Sequence, residues 1–193
     1  MIADLFLYFA QFPAKRNIKA MATMGRSPMA DYQPLLDGLD LLPETSRVPE
    51  IENYIYGQTF EDVQQRLDRL IGTFLFVDYG QFTVQPIGQR TIDVSEQLAI
   101  TVAMRMSERT DLMERMLASD KTLQLLNQVY AWIMADAEAG TIEWLHREHT
   151  DRAEIVPFVS PELRSTGWTL MLDATAPDML NTRMMARQIA KTW

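Results

Sequence analysis

The chain has 193 residues, 47% hydrophobic and 23% charged, a balance that can bury a core and excludes disorder for the bulk of it. It has no cysteine, which excludes disulfides and thiolate metal sites and fits a reducing compartment. The net charge is −8, yet residues 1–30 hold Lys15, Arg16, Lys19 and Arg26 against Asp4 alone. The remainder carries 14 Lys and Arg against 25 Asp and Glu, a net of −11, which argues against a nucleic-acid surface, because affinity there comes from neutralising phosphates.

The opening MIADLFLYFAQFPAKR contains an apolar run, but Asp4 interrupts it and the positive charge follows rather than precedes it. It reads as mature sequence, an amphipathic or buried element using Leu5, Phe6, Phe9 and Phe12. No stretch approaches the roughly 20 apolar residues that cross a bilayer. Pro28, Pro34, Pro43 and Pro49 rule out a long helix or strand over the next stretch, since each removes a donor and restricts its predecessor. Short helical turns around residues 32–42 remain. The leucines there, including Leu35 and Leu39, should bury against something. Residues 1–50 are therefore an apolar and basic arm, whose cations have an acidic partner or the chain's own acidic body to meet.

Thr59 and Asp62 form a capping-box variant ahead of Phe60, Val63, Leu67, Leu70 and Ile71 at helical spacing, and Gly72 suits the helix end. FLFVDY (74–79) reads as a strand, YGQF (79–82) as a turn, TVQPI (83–87) as a second strand and GQR (88–90) as a loop. In QLAITVAMRM (97–106), Leu98, Ile100, Val102, Met104 and Met106 alternate with Ala99, Thr101, Ala103 and Arg105, predicting one face on a core and one on solvent or a partner. A helical pattern follows from Thr110, a candidate cap, through Leu112, Met113, Met116 and Leu117. Ser119 or Asp120 then caps or bends into a second segment that ends at Gly140. TIEWLHR (141–147), EIVPFV (154–159) and GWTLMLDAT (167–175) read as strands, with Pro157 confining its strand to an edge or bulge.

Strands arrive in runs between helices, not in strict alternation with them. The expected fold is α+β: an antiparallel or mixed sheet of five to six strands, two main helices on one face, and the N-terminal arm. The expected division is 1–50 arm, 51–178 domain and 179–193 tail, the last able to form a short helix.

Chemistry is sparse. His146 and His149, beside Glu143, Glu148 and Asp151, are the candidate metal ligands. Placed on a strand end, residues three apart point to opposite faces, and the pair lacks the HExxH arrangement that supplies a general base. There is no GxSxG elbow and no glycine-rich phosphate loop. The expectation is a protein with no catalytic residue, no cofactor and no resident metal. The 13 methionines point elsewhere. Each taken singly, Met104, Met106, Met113 and Met116 included, reads first as core packing, while Met21, Met24 and Met29 in the arm, with no core of their own in the sequence, equally suit an adaptable interface. The candidate contact residues are Phe6, Phe9, Met21, Met24, Leu35 and Leu39 of the arm, with Thr101 and Arg105 of the alternating strand.

The order helix, strands, the long alternating strand SEQLAITVAMRM, helix, and the late strand after PELRSTGWTLMLDATAP resembles the small α+β proteins that complete or terminate the tail of phages and prophages at the neck. The likeness spans residues 58–175; the arm departs from that compact pattern. It implies a non-enzymatic, ring-forming subunit, a homo-oligomer meeting other protein subunits, in the cytoplasm or in an assembled phage particle. Two other readings stay open: a soluble adaptor domain binding a peptide or small ligand on its sheet, and a small metal-dependent enzyme using His146 and His149.

Overall fold

The structure, a computed structural model, describes residues 2–22, 26–57, 72–87, 91–107, 110–142, 145 and 153–175. In chain order these form α1 (Ile2–Phe9), α2 (Lys15–Ala22), α3 (Tyr32–Asp40), β1 (Asn53–Gly57), β2 (Thr73–Ile87), β3 (Thr91–Arg105), α4 (Leu112–Glu138), β4 (Glu154–Ser160) and β5 (Ser165–Thr175). The five strands lie in the order β1-β2-β3-β5-β4, with β1 parallel to β2 and every other pair antiparallel. This is the expected α+β fold on a mixed sheet. The helix expected over 59–71, the loop at 88–90 and the tail at 179–193 lie outside the described residues. Gly72 has the left-handed backbone expected of it, with φ of 86°.

Period-two alternation places Tyr54, Leu75, Val77, Leu98, Ile100, Val102, Leu170 and Leu172 on one face of the sheet. That face carries the main core, to which α4 adds Leu125, Leu126, Val129 and Ile133. The arm closes the same core: Leu5 and Phe9, one turn apart on α1, are fully buried with Phe12, and Leu36 and Leu39 of α3 join them. Pro34 sits in the first turn of α3, where the missing N–H costs no helical bond. Tyr54 and Tyr56 of β1 donate their hydroxyls to the carbonyls of Phe6 (3.0 Å) and Ile2 (2.7 Å), fastening α1 to the sheet. Three cations of the arm meet this chain's own acids. Lys15 pairs with Glu44 at 2.7 Å and Lys19 with Asp40 at 2.8 Å, both inside the arm, while Arg47 pairs with Asp136 of α4.

Four local expectations change. The turn at 79–82 is instead a bulge in a continuous β2: Asp78 pairs with Ala99 and Gln81 with Gln97, so Tyr79 and Gly80 oppose one residue. The Asp78 carboxylate accepts the Gly80 N–H at 2.8 Å, supplying locally the bond that the ladder loses. The two helical segments are one helix of 27 residues. Its cap is Asp111, whose carboxylate accepts the Glu114 N–H at 2.9 Å, whereas the Thr110 hydroxyl turns back to Ser107. Ser119 caps no second segment: it lies inside this one helix, and its carbonyl and hydroxyl accept the Trp168 indole N–H from the sheet at 3.0 and 3.1 Å.

The strand expected over 141–147 is absent at its described positions. Gly140, with φ of 65°, ends α4, and both the N–H and the hydroxyl of Thr141 return to the Asp136 carbonyl at 3.0 Å. Thr141 is thus tied to the helix end, and Ile142 and Leu145 are buried in the core as loop residues. Pro157 lies on β4, the edge strand, as its missing N–H requires.

Candidate functional site

The N-terminal end of α4 outruns the sheet. Its cap and first six residues are all exposed, and Ala118 is the first buried side chain. Four of those six residues are large and apolar: Leu112, Met113, Met116 and Leu117 are between 58% and 71% exposed. The pairs 112/116 and 113/117 stack one turn apart, forming a stripe. At 3.6 residues per turn this stripe points away from Ala118, Thr122, Leu125, Val129 and Ile133, the residues that pack on the sheet. The helix therefore has two apolar faces, and the described residues of the sheet cover one of them. This stripe on a capped helix end is the largest run of exposed apolar side chains on α4 among the described residues. Patches of that kind are what interaction surfaces are built from.

Two clefts flank the stripe. The larger, about 480 Å³, lies between the start of α4 and the β4–β5 turn and is lined by Met106, Arg115, Val159, Pro161, Arg164 and Thr166, among others. Val159 is itself 71% exposed and extends the apolar surface. Among the described residues, the charged ones lining this cleft are Arg115 and Arg164. Its wall is well fixed: the Arg164 N–H closes the turn on the Pro161 carbonyl at 3.1 Å, and the Met106 N–H donates to the Arg164 carbonyl at 2.6 Å, pinning the turn to the end of β3. Arg164 takes up the left-handed conformation there, with φ of 49°, uncommon for a residue with a side chain. The second cleft, about 370 Å³, is lined by Met104, Arg105, Glu114, Leu117 and Lys121, among others.

The expected contact residues divide. Arg105 lines the second cleft, next to the stripe. Phe6 and Leu35 line a separate hollow of about 280 Å³ with Ile2, Ala22 and Tyr56, and Phe6 stacks on Tyr54 at 5.6 Å. Phe9, Leu39 and Thr101 are corrected to the interior: Phe9 and Leu39 belong to the core that the arm shares with the sheet, and Thr101 is buried on the sheet's second face. Met21 belongs to α2, while Met24, His146 and His149 lie outside the described residues. Among the described residues, no group of three or more His, Asp or Glu is placed to hold a metal ion, and no helix is long and apolar enough to cross a membrane.

Sequence reasoning missed the stripe as a surface. Its 112/116 and 113/117 spacing was legible, but periodicity alone does not say which of two apolar faces a core will take. The clustering of Met104, Met106, Met113 and Met116 around one strand end and the following helix start was the usable signal. No family model matches this chain, and neither does any curated protein or any solved structure.

Proposed function

We propose that this protein is a non-enzymatic assembly subunit that works by protein–protein contact through the N-terminal end of α4 and the adjoining β4–β5 turn. The observation that carries the reading is the stripe Leu112, Met113, Met116 and Leu117, exposed on a helix end that its Asp111 cap holds ready. Methionines and leucines on a rigid helix offer adaptable apolar area at low ordering cost. The order of elements around the long strand β3 supports the narrower reading of a phage-type tail-completion or neck subunit. The cleft beside the stripe favours a second reading, an adaptor or ligand-binding domain, because about 480 Å³ falls within the usual range of small-ligand pockets.

A photo-crosslinking amino acid placed at Met116, with Gln128 further along α4 as the control position, tests the contact reading inside the cell of origin. Discrete protein adducts from position 116 and none from position 128 are expected. The absence of any protein adduct at position 116 would overturn the assembly reading and leave the ligand-binding one.

A further inference from the structure

The chain has 13 methionines and no cysteine, so its oxidisable sulfur is thioether alone. Met29, Met113 and Met116 are 72%, 65% and 58% exposed, whereas Met104, Met106, Met134 and Met171 are half-buried. Met113 and Met116 differ from Met29 in their setting. Each stands one helical turn from a leucine of the stripe, Met116 after Leu112 and Met113 before Leu117. Each of the two rows of the stripe therefore holds one leucine and one methionine. An oxygen added to both sulfurs would put a polar group into both rows. The stripe is turned away from Leu125, Val129 and Ile133, so the same change would leave the packing of α4 on the sheet intact.

We propose that Met113 and Met116 form a reversible oxidation site, at which a peroxide turns the contact surface of α4 off. Each thioether sulfur gives an electron pair to one oxygen of hydrogen peroxide. The O–O bond breaks, an S=O bond forms, and the proton of the transferred oxygen passes to the other, which leaves as water. Sulfur is oxidised by two electrons and the peroxide is reduced by two. The product is a sulfoxide, polar and chiral, where an adaptable apolar chain had been. Burying it against an apolar partner surface strands its oxygen without a hydrogen bond, which weakens the contact. Methionine sulfoxide reductases, drawing two electrons from a dithiol, return that oxygen as water and restore the stripe. This proposal rests on the reading of the α4 end as a contact surface and adds its regulation.

The test uses the full chain with the photo-crosslinking amino acid at Leu112, which keeps both methionines. The protein is treated with hydrogen peroxide, mapped by peptide mass spectrometry and returned to an extract of the cell of origin. Sulfoxide is expected at Met29, Met113 and Met116 before Met104, Met106, Met134 and Met171. Adducts formed by the untreated protein are expected to fall at least about tenfold on oxidation and to return after treatment with the reductase. The double change Met113→Leu with Met116→Leu keeps the apolar bulk. Oxidised at Met29 under the same conditions, it should keep its adducts. Far-UV circular dichroism of the oxidised wild type should be unchanged. Faster oxidation at the half-buried methionines, adducts that survive full oxidation of Met113 and Met116, an equal loss in the double variant, or a lost helix signal would each overturn the proposal and leave the contact reading standing. The absence of adducts from the untreated protein would remove the contact reading and the switch together.

Discussion

Arg47, in the segment that leads into β1, donates to the carboxylate of Asp136, 89 residues further on in the last turns of α4. The same carboxylate oxygen accepts the Tyr8 hydroxyl at 2.8 Å. The Arg47 guanidinium lies over three rings, at 4.9 Å from Trp132, 5.3 Å from Phe12 and 5.4 Å from Tyr8. Burial, and then its bond to Asp136, pushes the Tyr8 phenol well above its ordinary range, so it stays a neutral donor. This knot ties the arm to α4.

Breaking that knot should loosen the arm. Asp136→Ala leaves a mostly buried guanidinium and a buried phenol without their acceptor, with 22% of the Arg47 side chain exposed. A loss of about 2–3 kcal/mol in urea unfolding is expected, toward the low end for a broken buried pair because the site is partly wet. Lys19→Ala, which breaks an exposed pair inside the arm, should cost under about 0.5 kcal/mol. Equal losses in the two variants would mean that the knot is not what holds the arm.

Gly167 of β5 has no room for a side chain. A Cβ built there would lie 2.1 Å from the Val102 carbonyl oxygen and 2.5 Å from the Ala103 Cα, backbone atoms of the paired strand that cannot turn aside. Gly167→Ala should therefore cost about 3 kcal/mol or more, measured by chemical denaturation. At Gly38 of α3 the nearest atoms belong to the flexible Leu7 side chain at 3.0 Å. Gly38→Ala should stay within about 1 kcal/mol of wild type, since alanine also favours the helix.

The main core was legible because a single period carried it: Leu98, Ile100 and Val102 alternate, and all three are fully buried on the face that α4 and the arm cover. Thr101 was misread for the same reason. Alternation says that it faces away from Ile100, but not that its own side of the sheet is covered too, with Ile55, Phe74 and Ala103 buried beside it. The bulge at Tyr79 and Gly80 looked like a turn because glycine beside a polar residue is turn chemistry. Only the register of the partner strand shows that β2 continues. Leu112 and Met116 were legible as helical, but their exposure depends on where the sheet ends, a tertiary fact that no local pattern encodes.

The bulge also gives a pH dependence. Burial raises the Asp78 carboxyl above its ordinary value of 3.8, against the smaller opposing effect of the Gly80 N–H. A folded-state pKa above the unfolded one means that the folded chain binds this proton more tightly. The stability associated with the site is then full below 3.8 and declines as pH rises through the folded pKa. Asp78→Asn keeps an oxygen to accept the Gly80 N–H but has no charge to bury. Denaturation midpoints for the variant should exceed wild type at neutral pH, with the gap closing in acid below the ordinary aspartate range. A gap that widens in acid would assign the carboxylate a stabilising partner instead.

Thr101 and Thr169 face each other from β3 and β5 with their hydroxyl oxygens 2.7 Å apart, both buried, one donating to the other. The sequence made Thr101 a contact residue; the structure makes it half of an internal pair. Thr101→Val keeps the branched shape that a strand favours but strands the Thr169 hydroxyl without its partner, a loss of about 1–2 kcal/mol. Changing both to valine removes the two polar groups together, and the double variant should recover to within about 0.5 kcal/mol of wild type. A double variant whose loss equals the sum of the two single losses would show that each hydroxyl has work of its own, and Thr101 would return to the list of candidate contact residues. If instead the recovery is seen with the wild-type sedimentation profile unchanged, this part of β3 belongs to the core, and the surface that meets a partner is at the end of α4.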